Sequence, residues 1–402
     1  MKFVGSPTGM TRSGTTAARV RFGTMLLAVV LALMTAGCGS IDGRPAPGPA
    51  QVRVTVQPEP SSPPVSPGSP VGVSVTGGQL RDVALTSADG KRVPGELSPD
   101  RLRWTPSAAL AFGTTYTWSG TAVDSEDRTA PVTGKLSTLH PRELLHPKLN
   151  IAAGSTVGVA GPVLLQFDGH VADRAAAERA LTVATSVPTE GSWGWLQDDN
   201  GGSRAFWRPR QYWAPGTTVT VTGKLYGVDL GNGSFADADT DTRFTIGRSQ
   251  VTKADIRSHQ LVVVRDGAEV ARYDASYGKE SDPDRNTHSG IHVITEKFTD
   301  KRMTNQQYHY DVMEKWAVRM SNNGEFIHAN PETTGVQGSA NVSHGCVNLS
   351  TEDAKAYYDS ALYGDPVEVT GSSIPLSSRD GDIWIWTVDW PTWQSLSALG
   401  AR

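Results

Sequence analysis

The sequence predicts a mainly β protein of several domains, and three observations carry that prediction: composition, alternating apolar runs and an internal repeat. Forty-two glycines and twenty-five prolines among 402 residues demand many turns, which favours β structure over a helical bundle. Val52, Val54 and Val56, then Val71, Val73 and Val75, sit two apart, as residues on one face of a strand do. Trp104–Thr105–Pro106 followed by Gly113–Thr114–Thr115 recurs as Trp207–Arg208–Pro209 followed by Gly216–Thr217–Thr218. With copies about a hundred residues apart, two sandwich domains are the simplest account, over 51–139 and 140–248.

The segment before residue 51 reads as an address. Arg12, Arg19 and Arg21 precede an apolar run from Met25 to Met34, shorter than the ~20 residues a spanning helix needs, so 1–37 reads as a secretory signal. Thr35–Ala36–Gly37–Cys38 resembles a bacterial lipobox, with Thr35 where that pattern usually has leucine. It implies that Cys38 is lipidated and anchors the protein to the outer face of the cell membrane. The alternative is cleavage near Ala36 and a released protein. Residues 38–50, rich in Pro and Gly, form a tether. A net charge of −4 gives no reason to expect a nucleic-acid partner.

From about Ser249 the texture changes. Leu261 to Tyr273 reads as a hairpin. Ser350 or Thr351 caps one helix that Gly364 ends, and a shorter helix is expected over Ala172–Leu181. Trp384, Trp386, Trp390 and Trp393 crowd the extension 373–402, which is expected to dock on the body. A carbohydrate-binding role is the alternative for these tryptophans.

The chemistry lies in Asn341–Val342–Ser343–His344–Gly345–Cys346–Val347–Asn348, with Phe326–Ile327–His328 upstream. Only two cysteines exist, and a lone thiol in an oxidising compartment is a liability unless it is used. A thiol must ionise to attack a carbonyl, and an imidazole takes its proton. His344 is two residues from Cys346, and His328 can approach only by strand pairing. Gly345 relaxes the backbone, so that the N–H groups of Gly345 and Cys346 converge as an oxyanion hole. Asn348 is placed to hold a substrate carbonyl or carboxylate. A buried structural cysteine, or a zinc site from His328, His344 and Cys346, are the competing readings.

A histidine, fourteen intervening residues and then Ser343–His344–Gly345–Cys346–Val347–Asn348 resembles the catalytic signature of the L,D-transpeptidases in every fixed position. The resemblance spans roughly 250–372, within a domain set at 249–372. It implies a catalytic domain of mixed β-sheet with one helix, preceded by immunoglobulin-like modules. It implies Cys346 as nucleophile and His328 as general base, oriented by a backbone carbonyl, with His344 and Gly345 shaping the oxyanion pocket. Tyr308, preferred over Tyr310, lines the substrate pocket by this resemblance. Asn323 and Gly324 fall where the family contacts substrate, and Ser343 and Asn348 are expected to join them as substrate-binding residues. The family's Thr-Pro-x-Gly turn stands here as Thr287–His288–Ser289–Gly290, and Glu332 stands where some relatives carry tryptophan.

The activity so implied is 3→3 cross-linking of peptidoglycan tetrapeptide stems, donor and acceptor, through a thioester. Carbapenems are the expected covalent inhibitors, and neither metal nor organic cofactor is expected. An L,D-carboxypeptidase, a ligase joining protein to peptidoglycan, and a non-catalytic wall-binding lipoprotein are the alternatives.

Overall fold

The computed structural model describes residues 51–400, which form one compact unit. The signal, lipidation and tether assignments, Cys38 included, lie outside the described residues. Among the described residues no helix is long and apolar enough to cross a membrane.

The protein is mainly β. The alternating valines do what their spacing predicts: Arg53–Gln57 pairs antiparallel with Gly72–Thr76, and Val56, Val71, Val73 and Val75 turn into one core. Gly72–Thr76 pairs in turn with Arg103–Pro106, and that strand with Gly95–Leu97. A second sheet, built on the long pair Gln79–Ser87 and Thr115–Val123, closes the sandwich over Trp104 and Trp118, whose rings meet edge to face at 5.4 Å.

A second pair of four-stranded sheets follows between residues 147 and 246, with a small two-stranded sheet of Glu143–Leu145 and Ser234–Ala236 beside them. The repeated Trp occupies the same place in both halves. Trp104 lies in Arg103–Pro106 and Trp207 in Arg204–Pro209, each beside an antiparallel strand that opens on glycine. A Cβ on Gly95 or on Gly191 would stand 2.0 Å from the facing indole, so glycine is the side chain that leaves room for the ring. The helix α1 covers Arg174–Arg179, capped by Asp173.

The last module holds two sheets around one core. One runs Ala268–Asp274, Gln260–Arg265, Gln250–Asp255, Pro366–Thr370, Gly290–Val293. The other runs Glu296–Asn305, Tyr310–Arg319, Phe326–Ala329, Val347–Leu349. Helix α2, Thr351–Ser360, is capped by Ser350, whose side chain accepts from the Asp353 N–H. It stops at Ala361 rather than Gly364, because Ala361 is already extended at ψ 139°. The following turn is spent on docking: Tyr363 and Gly364 carbonyls accept from the Gly158 and Ala160 N–H groups at 2.7 and 2.8 Å.

The tryptophan-rich extension packs against both neighbours. A third helix, α3, spans Trp390–Ser395. Trp386 and Trp393 are buried with Ala160, Phe206, Val293 and Leu376. Arg208, inside the second repeat motif, lies 4.8 to 5.4 Å from the ring centres of Trp386, Trp390 and Trp393.

Candidate active site

Parallel pairing solves the distance between the two parts of the signature. Phe326–Ala329 lies beside Val347–Leu349 with His328 opposite Asn348, so the histidine is brought next to the residue two beyond Cys346. His328 is buried, and its Nδ1 lies 2.9 Å from the Ala329 carbonyl. A carbonyl only accepts, so Nδ1 carries the proton and Nε2 is left for the thiol. Glu314, on Tyr310–Arg319, adds a carboxylate 3.5 Å from Nδ1. Burial alone would lower the imidazole's affinity for a proton. Hydrogen bonding and charge from Cys346 and Glu314 outweigh it, and the His328 pKa is pushed up to about 10.

Cys346 is a free, part-exposed thiol whose Sγ lies 3.7 Å from the Gly324 carbonyl. The turn before it is clamped peptide by peptide. The Ser343 carbonyl accepts from the Lys279 N–H and from Arg285 Nε, each at 3.1 Å. The Ser343 hydroxyl donates to the Cys346 carbonyl at 2.6 Å and accepts from the Gly345 N–H at 3.1 Å. Buried Thr287 donates to the Gly345 carbonyl at 2.8 Å and accepts from the Gly278 N–H at 3.0 Å. Gly345 adopts φ +114°, where an L side chain would be strained.

This clamp corrects the expected oxyanion hole. The Gly345 N–H is bonded to Ser343 Oγ and is not available. In a trans peptide the N–H points opposite the C=O. Holding the Gly345 and Ser343 carbonyls therefore aims the Cys346 and His344 N–H groups the other way. Among the described residues neither has a hydrogen-bond acceptor. These two N–H groups are the loop's free donors for a developing oxyanion.

Two cavities open on Cys346. One, of about 250 Å³, is lined by His328, Asn348, Glu314, Glu332, Asn330 and Ser343, among others. The other, of about 340 Å³, is lined by Asn323, Gly324, Glu325, Lys301, Arg302 and Arg319, among others. Met303, Tyr310 and His344 lie between and line both. The preference for Tyr308 over Tyr310 is therefore reversed. Tyr310 lines both cavities, and burial with the charge of Cys346 raises its pKa. Tyr308 turns its hydroxyl to Asp282 at 3.2 Å and supports the His344 ring from 4.6 Å. His344 is held in the other direction: burial and Arg285 lower its pKa.

The sequence-predicted residues are thus gathered around one thiol, in unequal roles. Asn348 is buried and lines the first cavity, whereas the Ser343 hydroxyl is committed to its own loop. Asn323 Nδ2 lies 2.9 Å from His288 Nδ1, and buried Glu325 accepts from the His288 backbone N–H at 2.8 Å. Sequence reasoning did not single out Glu314, Glu325 or the clamping role of Thr287. Thr287 stood only as part of a turn, and no local signal marks the two glutamates. The zinc alternative finds no support in the geometry: among the described residues no group of three or more suitable side chains is placed to hold a metal ion.

Residues 249–369 match the L,D-transpeptidase catalytic domain, and 62–229 match a bacterial Ig domain. L,D-transpeptidase 5 of Mycobacterium tuberculosis is 51% identical over 358 residues, covering 89% of this chain and 78% of that protein. L,D-transpeptidase 2 of the same species is 35% identical over 342 residues, covering 82% and 81%. An L,D-transpeptidase solved in complex with imipenem is 32% identical, covers 57% of this chain and 100% of its own, and superposes with a TM-score of 0.48. The 51% and 35% identities to the two Mycobacterium tuberculosis proteins, each running through most of both chains, decide the matter: the chain belongs to the L,D-transpeptidase family.

Proposed function

We propose that the protein is a peptidoglycan L,D-transpeptidase that forms 3→3 cross-links between stem peptides through a Cys346 thioester. The observation that carries this is the thiol at the meeting point of two cavities, with a tautomer-fixed His328 on one side. The Cys346 thiolate attacks the carbonyl of the third residue of a tetrapeptide donor, and the oxyanion is received by the Cys346 and His344 N–H groups. His328 gives its proton to the departing D-alanine amine, leaving a thioester. An amine of a second stem then attacks, His328 takes a proton, and the thiolate is released. Asn348, at the wall of the first cavity, is suited to hold the stem's amide or carboxylate groups.

The strained β-lactam carbonyl of a carbapenem can undergo the same acyl transfer to the thiolate, which makes carbapenems suitable acylating inhibitors of Cys346. The lipobox-like Thr35–Cys38 segment supports a lipid anchor on the outer face of the cell membrane, with the sandwiches as spacers that lift the site into the wall. Mass spectrometry of the products from a disaccharide–tetrapeptide substrate tests the activity. A cross-linked dimer that has lost one D-alanine is expected, and free tripeptide alone would replace this reading with a carboxypeptidase.

A further inference from the structure

We propose that Glu332 selects the amine that resolves the thioester, favouring an acceptor whose amine-bearing carbon carries no free carboxylate. The inference rests on the transpeptidase reading and deepens it.

His328 lines the smaller cavity and not the larger one. The departing amine takes its proton from His328, and the entering amine gives one to it. By microscopic reversibility both occupy the same place, in the smaller cavity. Its wall is acidic: Glu314 and Glu332 line it, and no lysine or arginine does. Glu314 is engaged with His328. Glu332 is exposed at the mouth, on the short turn Pro331–Thr333, where Asn330 Oδ1 accepts from its N–H at 3.2 Å. Among the described residues its carboxylate has no cationic partner. The larger cavity has the opposite character, with Lys301, Arg302 and Arg319 in its wall. Arg302 and Arg319 are paired with Asp311 and Glu296, and Lys301 Nζ rests 4.1 Å from the Phe298 ring centre.

An amine arrives as an ammonium ion, which Glu332 attracts. A carboxylate on the same carbon is repelled by the same group. The D-alanine just released carries both charges and is disfavoured as a returning acceptor. A side-chain amine beside a neutral group carries only the attractive one. The charge at the cavity mouth therefore biases the enzyme toward cross-linking and against exchange with free D-amino acids. In the step itself the amine sheds one proton to solvent, and its lone pair forms the C–N bond. The C–S bond breaks with its electron pair returning to Sγ, and the remaining surplus proton passes to His328 Nε2.

The test is a pair of acceptors that differ only in that carboxylate, D-methionine and D-methioninamide. They are offered to the enzyme with a tetrapeptide donor, and the products are quantified by mass spectrometry. The amide's amine is intrinsically less basic, so the readout is the change between variants in the ratio of the two kcat/KM values. Glu332→Gln lowers the amide-to-acid ratio by about three- to tenfold, Glu332→Lys lowers it further, and raised salt narrows it in the unaltered enzyme. A ratio that stays within about twofold in both variants overturns the proposal. So does an effect confined to the rate of thioester formation, which would make Glu332 a donor-side residue. A thioester that forms but yields only to water would instead overturn the transpeptidase reading itself.

Discussion

At the scale of single residues, the site depends on how His328 holds its proton. The Ala329 carbonyl fixes the tautomer, and Glu314 with Cys346 raises the pKa to about 10 against the opposing pull of burial. Because this pKa is raised, the imidazolium persists through the neutral range and is lost only as pH rises through about 10. Donor acylation needs that proton for the departing amine, so the rate should hold at neutral pH and fall on the alkaline side. Glu314→Gln removes one support and should move the alkaline fall to lower pH, measured with a tetrapeptide donor under single-turnover conditions. An unmoved alkaline limb would remove Glu314 from the account. Cys346, His328 and Asn348 were legible in the sequence because the signature keeps them at fixed spacing. Glu314 was not, since it reaches His328 only across neighbouring strands.

At the scale of elements, the turn 343–346 is a clamp whose parts come from distant segments. Thr287 joins it to Gly278 and Gly345 through one hydroxyl. Thr287→Val keeps the shape but leaves a buried N–H and a buried carbonyl without that partner. The expected cost is about 1–3 kcal/mol of stability. Acylation should slow about tenfold or more, because the Cys346 N–H is no longer aimed. Denaturant midpoints and acylation rates on the same preparation check this. An intact acylation rate with lowered stability would make Thr287 a packing residue only. The sequence predicted the capped helix α2, since capping is local. It could not show that Ser343 Oγ takes the Gly345 N–H, because that bond follows from the bend of the loop. The choice between Tyr308 and Tyr310 likewise turned on the long hairpin of Glu296–Asn305 with Tyr310–Arg319, whose fold-over has no local signature.

At the scale of the whole molecule, the C-terminal extension ties the second sandwich to the catalytic module. Trp393 is fully buried, its Nε1 donates to the Ser192 carbonyl at 3.0 Å, and Arg208 lies over its ring. A Cβ on Gly194 would stand 2.8 Å from that indole, so the sandwich keeps a place for it. Trp393→Ala should cost about 3–5 kcal/mol and lower the melting of the second sandwich and the catalytic module together. Separate transitions with an unshifted catalytic one, seen by calorimetry, would show that the extension does not couple them. That the tail docks was readable from its four tryptophans. That it docks through Arg208 of the repeat was not, because a buried guanidinium stacked on indoles looks in sequence like any surface arginine.

The most direct test of the central claim is intact-protein mass spectrometry after mixing the enzyme with a carbapenem, beside Cys346→Ala. The account predicts a stoichiometric covalent adduct on the unaltered protein and none on the variant. A folded protein with a free thiol and no adduct, or an adduct that survives in Cys346→Ala, would contradict it.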